Sequence, residues 1–132
     1  MTVYRNASTI LYVEDLKAAL GFYRDMLGFA ATYQFPPDGP PEFVALENGI
    51  SLASVTDGQL GSHGQEVRLR TGRPFELCIY TDDVDRSITD LRERGVTVLV
   101  EPADQPWGER MAYVADPEGN PVMICAAAEG AG

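Results

Sequence analysis

Apolar and polar residues follow one another along the chain in an order that predicts strands and helices. Residues 8–13 are predicted to form a strand, and Glu14-Asp15 to begin a helix. The apolar stripe of this helix has a 3.6-residue period and comprises Leu16, Ala19, Leu20, Tyr23 and Leu27, before Gly28. Three further strands are predicted at 29–35, 43–46 and 50–55, the last two joined by an Asn48-Gly49 hairpin turn. This part is therefore expected to fold as βαβββ.

The same order of elements recurs in the second half of the chain. Apolar runs at 75–81 and 96–100 predict strands on either side of a helix that carries Val84, Ile88 and Leu91 and ends at Gly95. Asp82-Asp83 is expected to cap this helix, because a carboxylate at an N-terminus accepts hydrogen bonds from free backbone amides. Residues 102–106 are predicted to form a loop. A hairpin is predicted at 110–115 and 122–125, with the turn Asp116-Pro117-Glu118-Gly119-Asn120.

The two halves form an internal repeat. Asp15, Leu16, Leu20 and Tyr23 correspond to Asp83, Val84, Ile88 and Leu91, each 68 residues later. Repeated units of this kind bury together a face that neither buries alone. We therefore expect one α+β domain over residues 1–132: a first unit at 8–55, a linker or mobile loop at 56–74, a second unit at 75–126 and a flexible tail at 127–132.

Composition and charge restrict the possible functions. The 132 residues are 45% hydrophobic, which suits one globular core, and the formal net charge is −10. Such a charge disfavours nucleic acid and anionic membranes; it either favours a cationic partner or serves solubility alone. The sequence has no membrane-length apolar run and no signal-peptide pattern, so a cytoplasmic protein is expected. Cys78 and Cys125, far apart in sequence, are expected to be buried, free and inert.

Several short motifs carry a family resemblance. They are Tyr12-Val13-Glu14-Asp15-Leu16, Phe22-Tyr23, Leu27-Gly28-Phe29 and the Asp116–Asn120 turn. Together they resemble the vicinal oxygen chelate superfamily, which includes glyoxalase I, bleomycin-resistance proteins, fosfomycin-resistance enzymes and extradiol dioxygenases. The resemblance spans residues 8–126 and implies paired βαβββ units that curl a mixed sheet around a cavity, with helices outside. It also implies a homodimer, but no particular reaction, since one fold hosts many chemistries.

The resemblance also identifies the positions at which metal-dependent members hold their ion. These positions are Ser8, Glu76, Met123 and the region of Leu52 and Ala53. Only Glu76 supplies a carboxylate, whereas a catalytic metal site generally needs about three imidazole or carboxylate ligands. The only histidine, His63, falls in the predicted linker. We therefore expect neither a metal nor another cofactor.

Strand alternation predicts the lining of the cavity. The inward side chains are Tyr12, Glu76, Tyr80, Met111, Tyr113 and Met123, together with Cys78 and Cys125. The Gln105-Pro106-Trp107-Gly108 loop resembles that of the metal-free bleomycin-binding branch, which implies that Trp107 stacks on a ligand; alternatively, Trp107 closes the core. Phe35 and Phe43 form either an opposite wall or ordinary core. Glu109 and Arg110 are secondary candidates; as the alternative to a ligand role, Glu76 is paired with a neighbouring arginine such as Arg110.

Three functions follow from these patterns. The leading hypothesis is metal-independent binding of an aromatic or cationic small molecule, such as an antibiotic, between apolar walls. The alternative is a glyoxalase- or dioxygenase-like enzyme, a lyase or isomerase, that uses either a displaced metal-ligand set of Glu76, Glu109 and His63 or Glu76 as a general base in an apolar pocket. The third is an interaction module whose cavity is filled by its own side chains.

Overall fold

The computed structural model describes residues 3, 5–72 and 75–128, and these residues form two compact units. The first unit is Met1–Thr71 and the second is Gly72–Gly132, so the boundary falls inside the predicted linker. Each unit contains one four-stranded mixed sheet. The α+β class is therefore confirmed. Within the described ranges, neither helix combines the length and the hydropathy that a membrane span requires.

The first unit has the predicted βαβββ order. Its elements are β1 (Thr9–Val13), α1 (Leu16–Leu20) with a π-helical continuation (Gly21–Met26), β2 (Ala31–Phe35), β3 (Phe43–Leu46) and β4 (Ile50–Ser54). The strand order is β1-β4-β3-β2, with β1 parallel to β4 and the other pairs antiparallel. Asn48 and Gly49, between β3 and β4, have φ of 67° and 74°, as a tight hairpin turn requires.

Helix α1 begins where the sequence predicts. The Asp15 carboxylate accepts a 3.0 Å hydrogen bond from the backbone amide of Ala18, and this satisfies one of the free N–H groups of the first turn. Gly28 follows the helix with φ of 82°, a conformation that favours glycine. Buried residues on this side of the sheet form the core of the unit: Val13, Leu16, Ala19, Leu20, Phe22, Tyr23, Val44 and Leu52.

The second unit repeats the order of elements. They are β5 (Leu77–Tyr80), α2 (Val84–Glu93), β6 (Val98–Asp104), β7 (Glu109–Ala115) and β8 (Pro121–Ala127). The strand order is β5-β8-β7-β6, with β5 parallel to β8. Helix α2 contacts β6, β7 and β8. Its buried stripe and one face of the sheet form the core: Val84, Ile88, Leu91, Ala112, Val114, Val122 and Ile124.

Strand pairing gives two four-stranded mixed sheets. Within the described residues each sheet is open, with β1 and β2 at the edges of one and β5 and β6 at the edges of the other. Sequence repetition identifies the units, but closure of a sheet depends on pairing between edge strands, which no local pattern contains.

Two further predictions need correction. The predicted loop at 102–106 is wrong, because β6 continues to Asp104 and contains Pro102. Proline is tolerated there since β6 is an edge strand, and its pairing with β7 is interrupted by register shifts. The predicted linker is also folded in part: Val67 and Leu69 are buried with Val55, and Tyr12 packs on this cluster. Residues 73, 74 and 129–132 of the predicted linker and tail lie outside the described residues.

Candidate functional site

One face of the second sheet carries most of the side chains that the sequence predicted for a binding site. Strand alternation places them opposite the face that packs on α2. We call this surface the Glu76 face; it comprises Glu76, Cys78, Tyr80, Glu109, Met111, Tyr113, Met123 and Cys125. The side chains of the second unit that strand alternation predicts to line a site therefore share one surface of the sheet.

Glu109 joins two aromatic side chains at one end of the Glu76 face. Its Oε1 accepts a 2.9 Å hydrogen bond from Trp107 Nε1, and its Oε2 accepts a 2.6 Å hydrogen bond from the Tyr80 hydroxyl. Both rings are open to solvent, since Trp107 is 62% exposed and Tyr80 is 66% exposed. The alternative that Trp107 closes the core is therefore wrong. Glu109, only a secondary candidate from sequence, connects the two rings.

Glu76 has a different partner from the one expected. Its Oε1 accepts a 2.8 Å hydrogen bond from the Tyr113 hydroxyl. Arg110, the expected partner, alternates to the opposite face of β7, where its guanidinium binds Asp85 of α2 at 2.7 Å and Asp104 at 3.0 Å. The structure thus separates Arg110 from the other candidate residues, because neighbouring residues of a strand point to opposite faces.

The hydrogen bonds on the Glu76 face keep both tyrosines protonated. The hydrogen bond that Tyr80 donates to Glu109, followed by the electrostatic effect of that carboxyl group, raises the pKa of Tyr80 to about 12. Burial, followed by the hydrogen bond to Glu76, raises the pKa of Tyr113 to about 12. Glu76 and Glu109 each therefore accept a hydrogen bond from a protonated phenol.

The two cysteines, expected to be isolated and buried, are neighbours on the Glu76 face. Cys78 is exposed and Cys125 is buried, and their sulfur atoms are 3.5 Å apart. The Cys78 sulfur is also 3.7 Å from the Met123 sulfur. Burial, together with the hydrogen bond to Cys78, raises the pKa of the Cys125 thiol to about 11. Their separation in sequence concealed this contact, which depends on β5 pairing with β8.

The remaining aromatic candidates belong to the first unit. Phe35 and Phe43 are directly paired across β2 and β3, and Tyr33 meets the edge of Phe43 with ring centroids 6.2 Å apart. Phe35 is exposed and Phe43 is half-buried. Tyr12 is half-buried under the folded part of the predicted linker, with its ring centroid 6.1 Å from that of His63. Phe35 and Phe43 therefore share one surface, whereas Tyr12 is partly covered.

The residues at the positions of the superfamily's metal ligands do not fit a catalytic zinc, nickel, manganese or iron centre. Leu52 is fully buried in the core and Ala53 has no donor, which leaves Glu76 as the only carboxylate. Of the displaced set, His63 lies in the first unit, and its Nδ1 accepts a 3.0 Å hydrogen bond from the Gln65 amide. Among the described residues, no three His, Cys, Asp or Glu side chains are grouped to hold a metal ion.

Sequence and structure comparisons identify the family. The profile of the Glyoxalase/Bleomycin resistance protein/Dioxygenase superfamily matches residues 5–124. The chain therefore belongs to this superfamily, which confirms the resemblance found in the motifs. The protein YraH of Bacillus subtilis (strain 168) is 28% identical over 120 residues, which cover 86% of this chain and 91% of YraH.

Two solved structures extend the comparison. TnmS3, an antibiotic binding protein from Streptomyces sp. CB03234, is 26% identical with a TM-score of 0.67, covering 97% of this chain and 99% of TnmS3. Lactoylglutathione lyase from Agrobacterium tumefaciens is also 26% identical, with a TM-score of 0.66 and coverage of 90% of each chain. The neighbours of this chain thus include both a binding protein and an enzyme.

Proposed function

We propose that this protein binds a planar, cationic small molecule on the Glu76 face, without a metal ion. The observation that carries the proposal is the position of Glu109 between Trp107 and Tyr80. One carboxylate fixes two exposed aromatic rings, so both are oriented before a ligand arrives and lose little rotational freedom on binding. A planar cation would stack on these rings and be attracted by the adjacent negative charge.

The charges around the face support a cationic ligand. Glu76 adds a second carboxylate, and its only hydrogen-bond partner among the described residues is the neutral Tyr113. Within those residues, no arginine, lysine or histidine forms an ion pair with Glu76 or Glu109. The chain as a whole has a net charge of −10, which attracts cations at long range.

The similarity to TnmS3 supports a narrower version of this proposal, in which the ligand is an antibiotic. Planar fused-ring antibiotics that carry a basic amine combine the two features that the rings and carboxylates of the Glu76 face recognise. We also propose a cytoplasmic location, where such a compound would be sequestered.

The enzymatic alternative remains a second candidate because of the similarity to lactoylglutathione lyase. In this version Glu76 abstracts a proton as a general base, a role favoured by an apolar surrounding. The Glu76 side chain is exposed rather than enclosed by apolar groups, which favours binding over catalysis. Turnover of α-keto aldehyde hemithioacetals that is lost in Glu76→Gln would support the catalytic candidate instead.

Fluorescence titration tests the binding proposal, because Trp107 is the only tryptophan and lies in the proposed site. A panel of planar cationic antibiotics is compared with uncharged planar compounds of similar size. We expect saturable quenching by at least one cationic compound, with a Kd at least about tenfold higher for Glu109→Gln in fluorescence and calorimetry.

Glu93→Gln is the matched control, since it removes one exposed carboxylate from α2 of the same unit. Its Kd should equal that of the wild type. The proposal is contradicted if no compound of the panel gives saturable quenching or binding heat. It is also contradicted if Glu109→Gln and the wild type bind with equal affinity.

We further propose that the protein is a homodimer. Among the described residues of the second unit, the aromatic side chains of Phe75, Tyr80 and Trp107 are more than half exposed, and exposed apolar patches commonly mark interfaces. Light scattering coupled to size-exclusion chromatography measures the mass directly. A mass of one chain at all concentrations would contradict the dimer.

A further inference from the structure

Three sulfur atoms lie together on the Glu76 face. Cys78 is in the middle: its Sγ is 3.5 Å from the Sγ of Cys125 and 3.7 Å from the Sδ of Met123. Cys78 and Met123 are directly paired across β5 and β8, and Cys125 follows two residues later on the same side of β8. The strand register therefore fixes the backbone positions of all three side chains.

Both of these separations from the Cys78 sulfur are close to the distance between two ligands of one ion. Two sulfur atoms that are each bonded to the same metal ion at about 2.3 Å, with a trigonal angle between the two bonds, are about 4.0 Å apart. The observed distances are shorter by a few tenths of an ångström, which a small rotation of the side chains corrects. Cys78 is exposed, so an ion could reach the group from solvent.

The same register disfavours a disulfide between the two cysteines. Tyr80, not Cys78, is the direct partner of Cys125, so the two cysteines are diagonal neighbours. A strand spacing of about 4.8 Å and a rise of about 3.3 Å per residue place diagonal Cα atoms about 8 Å apart. Disulfides require Cα atoms within about 7 Å unless the backbone moves. The sulfur atoms of the two cysteines are thus near enough to bind one ion, while the Cα atoms are too far apart for a disulfide.

We propose that Cys78, Cys125 and Met123 form a binding site for a soft cation, with Cu(I) as the physiological ion. Thiolate and thioether sulfur are the ligands that Cu(I) prefers, whereas Mg²⁺ and Ca²⁺ prefer oxygen. On binding, each cysteine loses its thiol proton to solvent and forms a Cu–S bond, Met123 donates a lone pair, and copper remains Cu(I). Both sites lie on the Glu76 face, but the groups argued to hold the planar ligand, Trp107, Tyr80, Glu109 and Glu76, are not ligands of the copper ion.

Competition with a chromophoric Cu(I) chelator tests the proposal on the reduced full-length chain under anaerobic conditions. We expect one Cu(I) per chain and an X-ray absorption spectrum with sulfur as the only ligand shell. Cys78→Ser should lower the affinity by more than about 100-fold, since it removes a direct ligand. Met123→Leu, which keeps volume and apolarity, should lower it about tenfold.

Met26→Leu is the matched control, because Met26 lies in the first unit and takes no part in the site. Its Cu(I) affinity should equal that of the wild type. Cys78 is exposed, so Cys78→Ser should fold even if substitution of the buried Cys125 does not; a circular dichroism spectrum checks this.

Three results would overturn the proposal. The first is a wild-type affinity no higher than that of Cys78→Ser, and the second is a ligand shell with nitrogen or oxygen in place of sulfur. The third is ready formation of a Cys78–Cys125 disulfide in glutathione disulfide, detected by mass spectrometry. Failure of the planar-ligand titration leaves the Cu(I) result unaffected, so the two proposals are tested separately.

Discussion

The hydroxyl of Tyr113 in β7 donates a 2.8 Å hydrogen bond to Glu76, which lies 37 residues earlier and directly before β5. Strand β8 lies between β5 and β7, so the bond crosses one strand of the sheet. A second bond, from Tyr80 to Glu109, crosses β8 in the same way. These two phenol–carboxylate pairs connect three strands on one face, and their ionisation can be measured.

The first prediction concerns stability at high pH. Folding raises the pKa of Tyr80 and of Tyr113 from 10.0 to about 12. The folded chain therefore retains protons that the unfolded chain loses above pH 10, and stability falls as pH rises from about 10 to about 12. Below pH 10 the contribution of both pairs is fully present. Denaturant unfolding at a series of pH values, with Tyr80→Phe and Tyr113→Phe for comparison, measures this loss.

Glu109→Gln should lower the pKa of Tyr80 toward 10.0, because the hydrogen bond to Glu109 is the largest cause of the shift. Glu76→Gln should change the pKa of Tyr113 less, since burial is the largest cause there. The difference in tyrosinate absorbance between each variant and the wild type follows the tyrosine concerned. The assignment fails if Glu109→Gln titrates like the wild type.

The second prediction concerns the ion pair between β7 and α2. Arg110 contacts both oxygens of Asp85, at 2.7 Å and 2.9 Å, and this lowers the pKa of Asp85 below 3.8. The stabilisation is present above pH 3.8 and is lost as pH falls through the lowered pKa. Asp85→Asn should therefore lower the Tm at neutral pH, with little difference from the wild type in strong acid. Thermal unfolding followed by circular dichroism measures both.

Asp90→Asn is the control, because Asp90 of α2 pairs at 3.4 Å with Arg94, the residue that caps the same helix, and so joins no other element. It should change the Tm less than Asp85→Asn. Planar-ligand affinity should be unchanged in Asp85→Asn, since Arg110 is on the face opposite Glu76. A marked loss of that affinity would instead assign Arg110 to the site.

The third prediction concerns the start of α2. The Asp83 side chain accepts a 3.1 Å hydrogen bond from the Arg86 amide, as an N-cap does. Asp83→Ala should destabilise the protein by about 1 kcal/mol, measured by denaturant unfolding. Asp82→Ala should change stability by less than about 0.5 kcal/mol, because Asp82 precedes the cap. Equal effects of the two substitutions would show that general charge, rather than capping, stabilises this end.

The fourth prediction concerns the segment between β4 and the second unit. Leu69 is 9% exposed in the cluster with Val55 and Val67, whereas Leu60 in the same segment is 68% exposed. Leu69→Ala should lower the free energy of unfolding by about 2 kcal/mol through lost burial and a residual void. Leu60→Ala should have an effect within about 0.5 kcal/mol. If both variants matched the wild type, the segment would not contribute to the first unit.

The secondary structure could largely be predicted because its signals are local. A helical period beginning after Asp15 and after Asp83 predicts both helices, and strand alternation predicts which side chains share the Glu76 face. Pro102 gave a wrong loop prediction, because proline is compatible with a strand only when that strand is at an edge, and edge position is a property of the assembled sheet.

The partners of the candidate residues could not be predicted in this way. Opposite charge favours a pair of Glu76 with an arginine such as Arg110, but the pleat of β7 directs Arg110 toward α2 and Tyr113 toward Glu76. The contact between Glu109 and Tyr80 is not visible in the sequence, because it depends on the pairing of β8 with both β5 and β7.

The sequence by itself determined the repeated βαβββ order, the helix caps, the family and the identity of the alternating side chains on each strand, since all of these depend on residues close together in the chain. Only the tertiary structure decided that Cys78 lies beside Cys125 and Met123, that Val67 and Leu69 are buried, and that the two sheets are open. The physical reason is that the parallel pairing of β5 with β8 joins residues about 45 positions apart, such as Leu77 and Val122, and its free energy comes from contacts that no short window of sequence contains.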